Sequence, residues 1–183
     1  SSQTLAKSLA AAGITLYEGR GVCAGKGQAI VRSEAGEEML TTDNIILSCG
    51  SSSASFPGLA PDGDAVLDST GVLNLPEVPE SLIIVGAGAI GLELGDFFGM
   101  MGSKITIVEA APHIAPTEDA DIAKEMDRVQ SKAGRTCISG VMAKSLVTKG
   151  RQAELTLGDG RVLTASKALV AVGRTPNTAG LDC

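Results

Sequence analysis

The chain has 183 residues, is 44% hydrophobic but only 2% aromatic, contains no tryptophan, and carries a formal net charge of -6. Such a length fits one large domain or two small ones with a real core. The scarcity of rings and the acidic balance exclude a base-stacking surface and a phosphate-backbone partner, so no nucleic-acid role is expected.

In chain order, SSQTLAKSLAAAG at residues 1–13 reads as a small amphipathic helix closed by Gly13. It has neither the uninterrupted apolar run nor the leading basic cluster of a secretory signal. No later stretch approaches the ~20 apolar residues needed to cross a bilayer, so no membrane partner is expected and a cytoplasmic, reducing compartment is the default. A short strand follows at ITLY, then strand segments broken at Glu34-Ala35-Gly36, then an apolar strand, IILSC, that stops at Gly50.

From residue 82 the pattern reads strand 82–86, helix 89–101, strand 104–109, helix 119–133 and strand 135–138. A three-stranded meander turning at Asp159-Gly160 comes next, and a strand at 168–172 closes the unit. Alternation at these lengths implies a parallel sheet with right-handed crossovers. Cys23, Cys49, Cys137 and Cys183 lie far apart, so neither a disulfide framework nor a metal site is expected. Cys49 and Cys137 read as buried strand residues. The one histidine, His113, reads as a solvated loop residue, and no catalytic residue stands out.

Two stretches of the chain resemble each other. AGITLYEG at 12–19 matches AGRTCISG at 133–140, and LTTDNIILSCG at 40–50 matches LTASKALVAVG at 163–173. The matched glycines keep step, Gly13 to Gly50 in one copy and Gly134 to Gly173 in the other. The second copy completes a unit begun at residue 82, whereas the first has only the tail. Its head, with its own glycine turn, is expected upstream of Ser1. The fold class is therefore α/β: a Rossmann-like dinucleotide-binding domain at 80–176, with a parallel sheet and a three-stranded β-meander. A partial second domain of the same type precedes it at 1–79, and 177–183 opens a following segment. The first domain is expected to be the less secure half, with the strand at 44–49 exposed as an open edge.

LIIVGAGAIGLELG at 82–95 places Gly86, Gly88 and Gly91 between an apolar strand and a helix. A lone GxGxxG is weak, but here a second strand, KITIV, ends at Glu109, 23 residues after Gly86. That is close to the ~20 residues expected before a carboxylate that holds an adenosine ribose. Gly86 permits the tight turn, Gly88 leaves room for a pyrophosphate, and Gly91 lets the helix pack close to the strand. The intervening Ala87, Ala89 and Ile90 offer backbone N–H groups at the helix's positive end. A carboxylate accepts from a 2′-hydroxyl and repels a 2′-phosphate, so NAD(H) is expected over NADP(H). An arginine in place of Glu109 is expected to shift that preference. Glu93 either complements the helix dipole or faces the nicotinamide ribose. Gly173 ends the closing strand at the ligand-binding edge, and Arg174 beside it is a site residue or an exposed loop charge.

VPESLIIVGAGAIGLELGDFFGMMGSKITIVEAAPHIAP and ALVAVGRTPNTAGL resemble the flavin-dependent pyridine nucleotide–disulfide oxidoreductases, within them the dihydrolipoamide dehydrogenase branch. IILSCGSSSASFPGL is similar to the family's link between its FAD and NAD domains, with Cys49 for the usual threonine and Ser53 for the usual proline. The resemblance makes 1–79 the C-terminal part of a truncated FAD-binding domain and 80–176 the NAD-binding domain. It implies that Glu93 lies near the nicotinamide, Glu109 and Ala110 at the adenosine ribose, Met142–Ala143 near the adenine, and Val172–Gly173–Arg174 at the nicotinamide end. Gly21, Cys49, Gly50 and Ser51 would touch FAD, in a site incomplete in this sequence. The redox CxxxxC pair would lie upstream of Ser1, and the histidine–glutamate acid–base pair downstream of Cys183. The whole protein would pass electrons between dihydrolipoamide, FAD and NAD, as a homodimer in a 2-oxoacid dehydrogenase complex. Mercuric reductase, NADH oxidase or coenzyme A–disulfide reductase, soluble transhydrogenase, and a non-catalytic nucleotide-binding module stand as alternatives. This polypeptide by itself is expected to bind NAD(H) without turnover.

Overall fold

The computed structural model describes residues 2–181, so Ser1, Asp182 and Cys183, the last two at the end of the expected 177–183 segment, lie outside the described residues. The chain forms two compact units, residues 1–50 with 176–183, and residues 51–175.

In the first unit, helix α1 (Ser2–Ala11) ends on a paired cap. The N–H of Gly13 donates to Ala10 O and that of Ile14 to Leu9 O, both at 3.0 Å, while Gly13 turns left-handed at φ +72°. Strands β1 (Arg20–Gly25), β2 (Gln28–Ser33) and β3 (Gly36–Thr41) form an antiparallel meander. The strands expected at 14–17 and 44–49 do not form; both stretches are irregular, with Ile14, Leu16, Ile46 and Leu47 exposed. Cys49, expected in a buried strand, is exposed in this irregular segment. Val22 is the only buried apolar side chain among this unit's described residues.

The second unit contains β4 (Ser51–Ser53), β5 (Val66–Leu67), α2 (Ser69–Leu73), β6 (Ser81–Val85), α3 (Ala89–Met100), β7 (Lys104–Val108), α4 (Ala120–Lys132) and β8 (Thr136–Ile138). It continues through β9 (Ala143–Lys149), β10 (Gln152–Leu157), β11 (Val162–Ala165) and β12 (Lys167–Val170) to β13 (Arg174–Pro176), whose last residue lies past the unit's boundary. Five strands form a parallel sheet in the order β5-β12-β6-β7-β8. Leu82, Ile84, Ile105, Ile107 and Leu169 face one side with Leu92 and Phe98 of α3, Val72 of α2 and Ile114. Ile83, Val85, Val108, Ala168 and Val170 face the other, against the β9–β10–β11 meander through Leu146, Ala153, Leu155 and Leu157. Because both faces are covered, β6 reads as an unbroken apolar run rather than an alternating one.

The two compact units meet at 50/51. Residues 51–79 fold with the strands C-terminal to them: β4 pairs with β13, and β5 runs parallel to β12. Asp62 adds a tie, accepting from the N–H groups of Asp64 and Val66 and from Thr148 Oγ1 at 2.6 Å.

The repeated sequence has a repeated structure. α4 ends on the same paired cap as α1, with Gly134 N–H to Ser131 O at 3.0 Å and Arg135 N–H to Gln130 O at 3.1 Å. A sequential three-stranded meander follows in both copies. The counterparts of 14–17 and 44–49 are β8 and β12, and these do not touch each other, because β6 and β7 stand between them. The first unit holds no described equivalent of that central pair, so its two apolar segments have no sheet to join. No helix among the described residues is long and apolar enough to cross a membrane.

Candidate functional site at the carboxyl edge of the parallel sheet

In register, Val170, Val85, Val108 and Ile138 form one row across the sheet. Parallel strands emit their following loops on the same edge, so the segments beginning at Ala171, Gly86, Glu109 and Ser139 start side by side. Three hydrogen bonds of 2.8 Å extend the ladder past the strand ends: Gly86 N–H to Val108 O, Glu109 N–H to Ile138 O, and Ala171 N–H to Val85 O. Ligands bind at this edge in doubly wound sheets.

The three turn glycines differ in what a side chain would meet. Gly86 has φ +104°, and a Cβ there would lie 2.3 Å from Ala171 O. At Gly91 a Cβ would lie 2.0 Å from Gly86 O, so the helix start sits against the turn itself. At Gly88 a Cβ would meet nothing within 4 Å. Two of the glycines therefore close the turn on itself and on the segment that follows β12, while the middle one fronts open space and caps α3. That is the shape a pyrophosphate needs, with backbone N–H groups and the helix's positive end beside a gap.

Glu109, just past β7, is half-buried and turned into this region. Its Oε2 accepts from Ala87 N–H and its Oε1 from Ala111 N–H, each at 2.8 Å. A carboxylate has about four lone-pair positions, so acceptor capacity remains after these two bonds. Val141 N–H donates to Glu109 O at 3.2 Å, which brings Met142 and Ala143 alongside Glu109 and Ala110. Met142 is exposed, as are Ala110 and Ala89, whereas Ile90 is partly covered and Ala87 is fully buried.

Glu93 is exposed in the first turns of α3. Val172 follows β12, with its N 3.3 Å from the Cβ position of Gly86. Gly173 has φ +121°, and its carbonyl accepts from Ala54 N–H at 3.0 Å. Arg174 is no free loop charge: its Nε donates to Ser51 Oγ at 2.7 Å and its terminal nitrogen to Ser51 O, fixing β13 to β4. The edge thus gathers Gly86 to Gly91, Glu109, Ala110, Met142, Ala143, Val172 and Gly173. Of the other expected contacts, Gly21 lies within β1 opposite Val31. Cys49 and Gly50 lie in the irregular segment of the first unit, where Gly50 O accepts from Asn177 N–H at 3.0 Å.

Sequence reasoning missed Gly95, Gly99 and Arg135. The spacing of Gly91, Gly95 and Gly99 marks one helical stripe and was the available signal. A Cβ at Gly95 would lie 3.0 Å from Ile84 Cδ1, and one at Gly99 would lie 2.7 Å from Arg135 Nε. The stripe lets α3 lie flat on the sheet and on a buried guanidinium, which pairs with Asp96 Oδ1 at 2.6 Å and Gln130 Oε1 at 2.9 Å. Cys137, half-buried in β8, has its thiol pushed up to about 11 by burial and by Asp127, against the opposing pull of Arg135. His113 is partly buried, its Nδ1 3.0 Å from Ile114 O. Among the described residues no cluster of three metal-ligating side chains occurs.

Residues 3–183 match the family of pyridine nucleotide-disulphide oxidoreductases. The chain is 36% identical over 175 residues to a leghemoglobin reductase of Glycine max, covering 92% of this chain and 34% of that protein. It is 38% identical over 186 residues to a dihydrolipoyl dehydrogenase of Chlorobaculum tepidum, covering 99% of this chain and 40% of that one. Among solved structures, LpdA from Mycobacterium tuberculosis superposes with a TM-score of 0.85 at 27% identity, over 98% of this chain and 40% of that one. The HOCl-induced flavoprotein disulfide reductase RclA of Escherichia coli gives a TM-score of 0.73 at 30% identity, over 92% of this chain and 38% of that one. This chain thus spans between about a third and two fifths of these relatives' lengths.

Proposed function

The chain belongs to the pyridine nucleotide-disulphide oxidoreductase family, and from that premise we propose that residues 51–175 form the NAD(H)-binding unit of a dihydrolipoamide dehydrogenase-like flavoprotein. The observation that carries this reading is the glycine turn with its open middle position and Glu109 at its mouth. In this role the backbone of 86–91 takes the pyrophosphate, Glu109 the adenosine ribose, and Met142–Ala143 the adenine. Glu93 and Val172–Gly173 border the nicotinamide. Flavin and a cysteine pair would supply the redox chemistry, and the residues of this chain bind and orient the nucleotide.

The cradle distinguishes the two coenzymes by charge. Glu109 accepts a hydrogen bond from a 2′-hydroxyl through a remaining lone pair and repels a 2′-phosphate. No arginine stands among Ala110, Ala111, Pro112 and His113 to reverse that. Calorimetric titration with NADH and NADPH at equal salt is expected to give at least ~10-fold tighter NADH binding, about 1.4 kcal/mol. Tighter NADPH binding, or binding of neither at millimolar concentration, overturns the assignment.

The first unit repeats the tail of the second, and this supports reading it as part of an FAD-binding domain whose contacts include Gly21, Cys49 and Gly50; Ser51, the next expected contact, belongs to the second unit. Within the whole protein the electrons would run between dihydrolipoamide, FAD and NAD. The 183 residues contain no CxxxxC, so this polypeptide is expected to bind NADH yet leave dihydrolipoamide unoxidised even with FAD added. Turnover by the purified chain would contradict that.

A further inference from the structure

Ala87, in the middle of the glycine turn, is fully buried, and both of its backbone polar groups are taken by one loop, residues 109–119. Its N–H donates to Glu109 Oε2 at 2.8 Å, and its carbonyl accepts from Ala115 N–H at 2.9 Å. Ala115 is the single non-glycine residue with positive φ among the described residues, at +49°, and it is 4% exposed. A side chain with a Cβ is held in that region only where its surroundings over-determine it, and such residues gather at ligand-binding sites. Ile114 beside it is buried in the α3 face of the core, which supplies the anchor. The peptide joining Ile114 to Ala115 is also gripped on its other side, by His113 Nδ1 at 3.0 Å from Ile114 O, an interaction that requires the proton on Nδ1.

We propose that loop 109–119 is a two-ended clamp on the Ala87 backbone, with Glu109 and Ala115 as positioning residues that set the shape of the glycine turn before any nucleotide arrives. This rests on the nucleotide-binding reading above. The Ala87 carbonyl shares its peptide with the Gly88 N–H, which lies at the N-cap of α3 beside the open gap. Hydrogen bonding to a peptide oxygen polarises the same peptide's N–H, so the chain from His113 through Ala115 to Ala87 makes Gly88 a stronger donor toward an anion. Glu109 then has two jobs. An arginine in its place would change the ratio of NADH to NADPH affinity, yet it would weaken both, because the Ala87 N–H loses its acceptor in a buried position.

The test reads the clamp without ligand. Residue-resolved amide exchange on the nucleotide-free chain is expected to show Ala87 and Ala115 protected at least ~100-fold beyond exposed loop amides; exchange of either at loop rates overturns the proposal. In Glu109→Ala the Ala87 amide is expected to exchange at least ~10-fold faster and NADH to bind at least ~10-fold more weakly. Weaker NADH binding with unchanged Ala87 exchange would reduce Glu109 to a ribose contact and refute the clamp. Ala115 holds a left-handed backbone at φ +49°. A β-branched residue cannot hold that conformation, so Ala115→Val is expected to lose ~10-fold in affinity while circular dichroism still reports a folded sheet; parent-like binding by this variant overturns the role of Ala115. Protected amides together with no NADH binding by the parent chain would refute the nucleotide reading alone.

Discussion

At the residue scale the glycine turn separates two properties that one motif bundles together. Gly91→Ala forces a Cβ to 2.0 Å from Gly86 O, a collision that only backbone movement can relieve. Its cost should be roughly 3 kcal/mol, at the upper end for overpacking, and urea denaturation would read it. Gly88→Ala meets no protein atom within 4 Å. Its stability cost should stay under about 1 kcal/mol, the loss of a tolerable helix cap, while NADH affinity falls because the methyl occupies the gap. Equal loss of stability in both variants would show that Gly88 is part of the packing rather than of a cradle. Thiol chemistry gives a second check. At pH 8 Cys137, pushed up to about 11 by burial and Asp127, should be roughly a thousandth thiolate. Iodoacetamide is therefore expected to label the exposed Cys49 well before Cys137, and mass spectrometry of the digest would give the order.

Elements were legible wherever the signal was local. The run LIIV, the glycine that closes α1 and its match at Gly134, and the glycine turn that opens α3 each depend on neighbours in sequence, and β6, α1, α4 and α3 appear within a residue or two of where the pattern places them. The segment at 44–49 carries the same kind of apolar run, but a strand is completed by partners that its own residues do not encode, and here the partners are absent among the described residues. Arg135 was illegible for the opposite reason: a buried guanidinium is tolerated only because Gly99, Asp96 and Gln130 converge on it from two helices. This convergence makes a prediction about α3. Asp96→Ala strips the ion pair from an arginine that is 7% exposed and should cost about 3 kcal/mol, whereas Arg135→Met, which removes the charge itself, should be far milder. Thermal unfolding of the two variants would check the order; a milder Asp96→Ala would mean that Gln130 Oε1 and the retained Asp96 main-chain carbonyl suffice. Asp62 supplies a pH signature. Burial pushes its carboxyl up, but hydrogen bonds from Thr148 and the N–H groups of Asp64 and Val66 outweigh that, and the group is held below its ordinary value. Its contribution is present above the unfolded carboxylate range, near pH ~4, and is lost as pH falls through the lowered folded value.

Across the whole molecule the two units differ in what their folding can rest on. Residues 51–175 bury both faces of a five-stranded sheet, while the first unit buries a single apolar side chain among its described residues and leaves Ile46 89% exposed. Hydrophobic burial is the main favourable term in folding, so denaturation followed by two probes should not coincide, with the first unit opening at lower denaturant than the second. The same imbalance predicts association. IILSC has strong β-propensity and no charge, and an unpaired segment of this kind templates pairing between chains. The full chain should therefore sediment as concentration-dependent oligomers, and Ile46→Lys should shift it toward monomer while leaving the melting of the second unit unchanged. A chain of residues 51–175 alone, which lacks both exposed segments, should stay monomeric and still bind NADH. If that shorter chain associates as strongly as the full one, the sticking surface belongs to the second unit, where Phe97, Met100 and Met101 are also exposed, and the unpartnered segments of the first unit are not its cause.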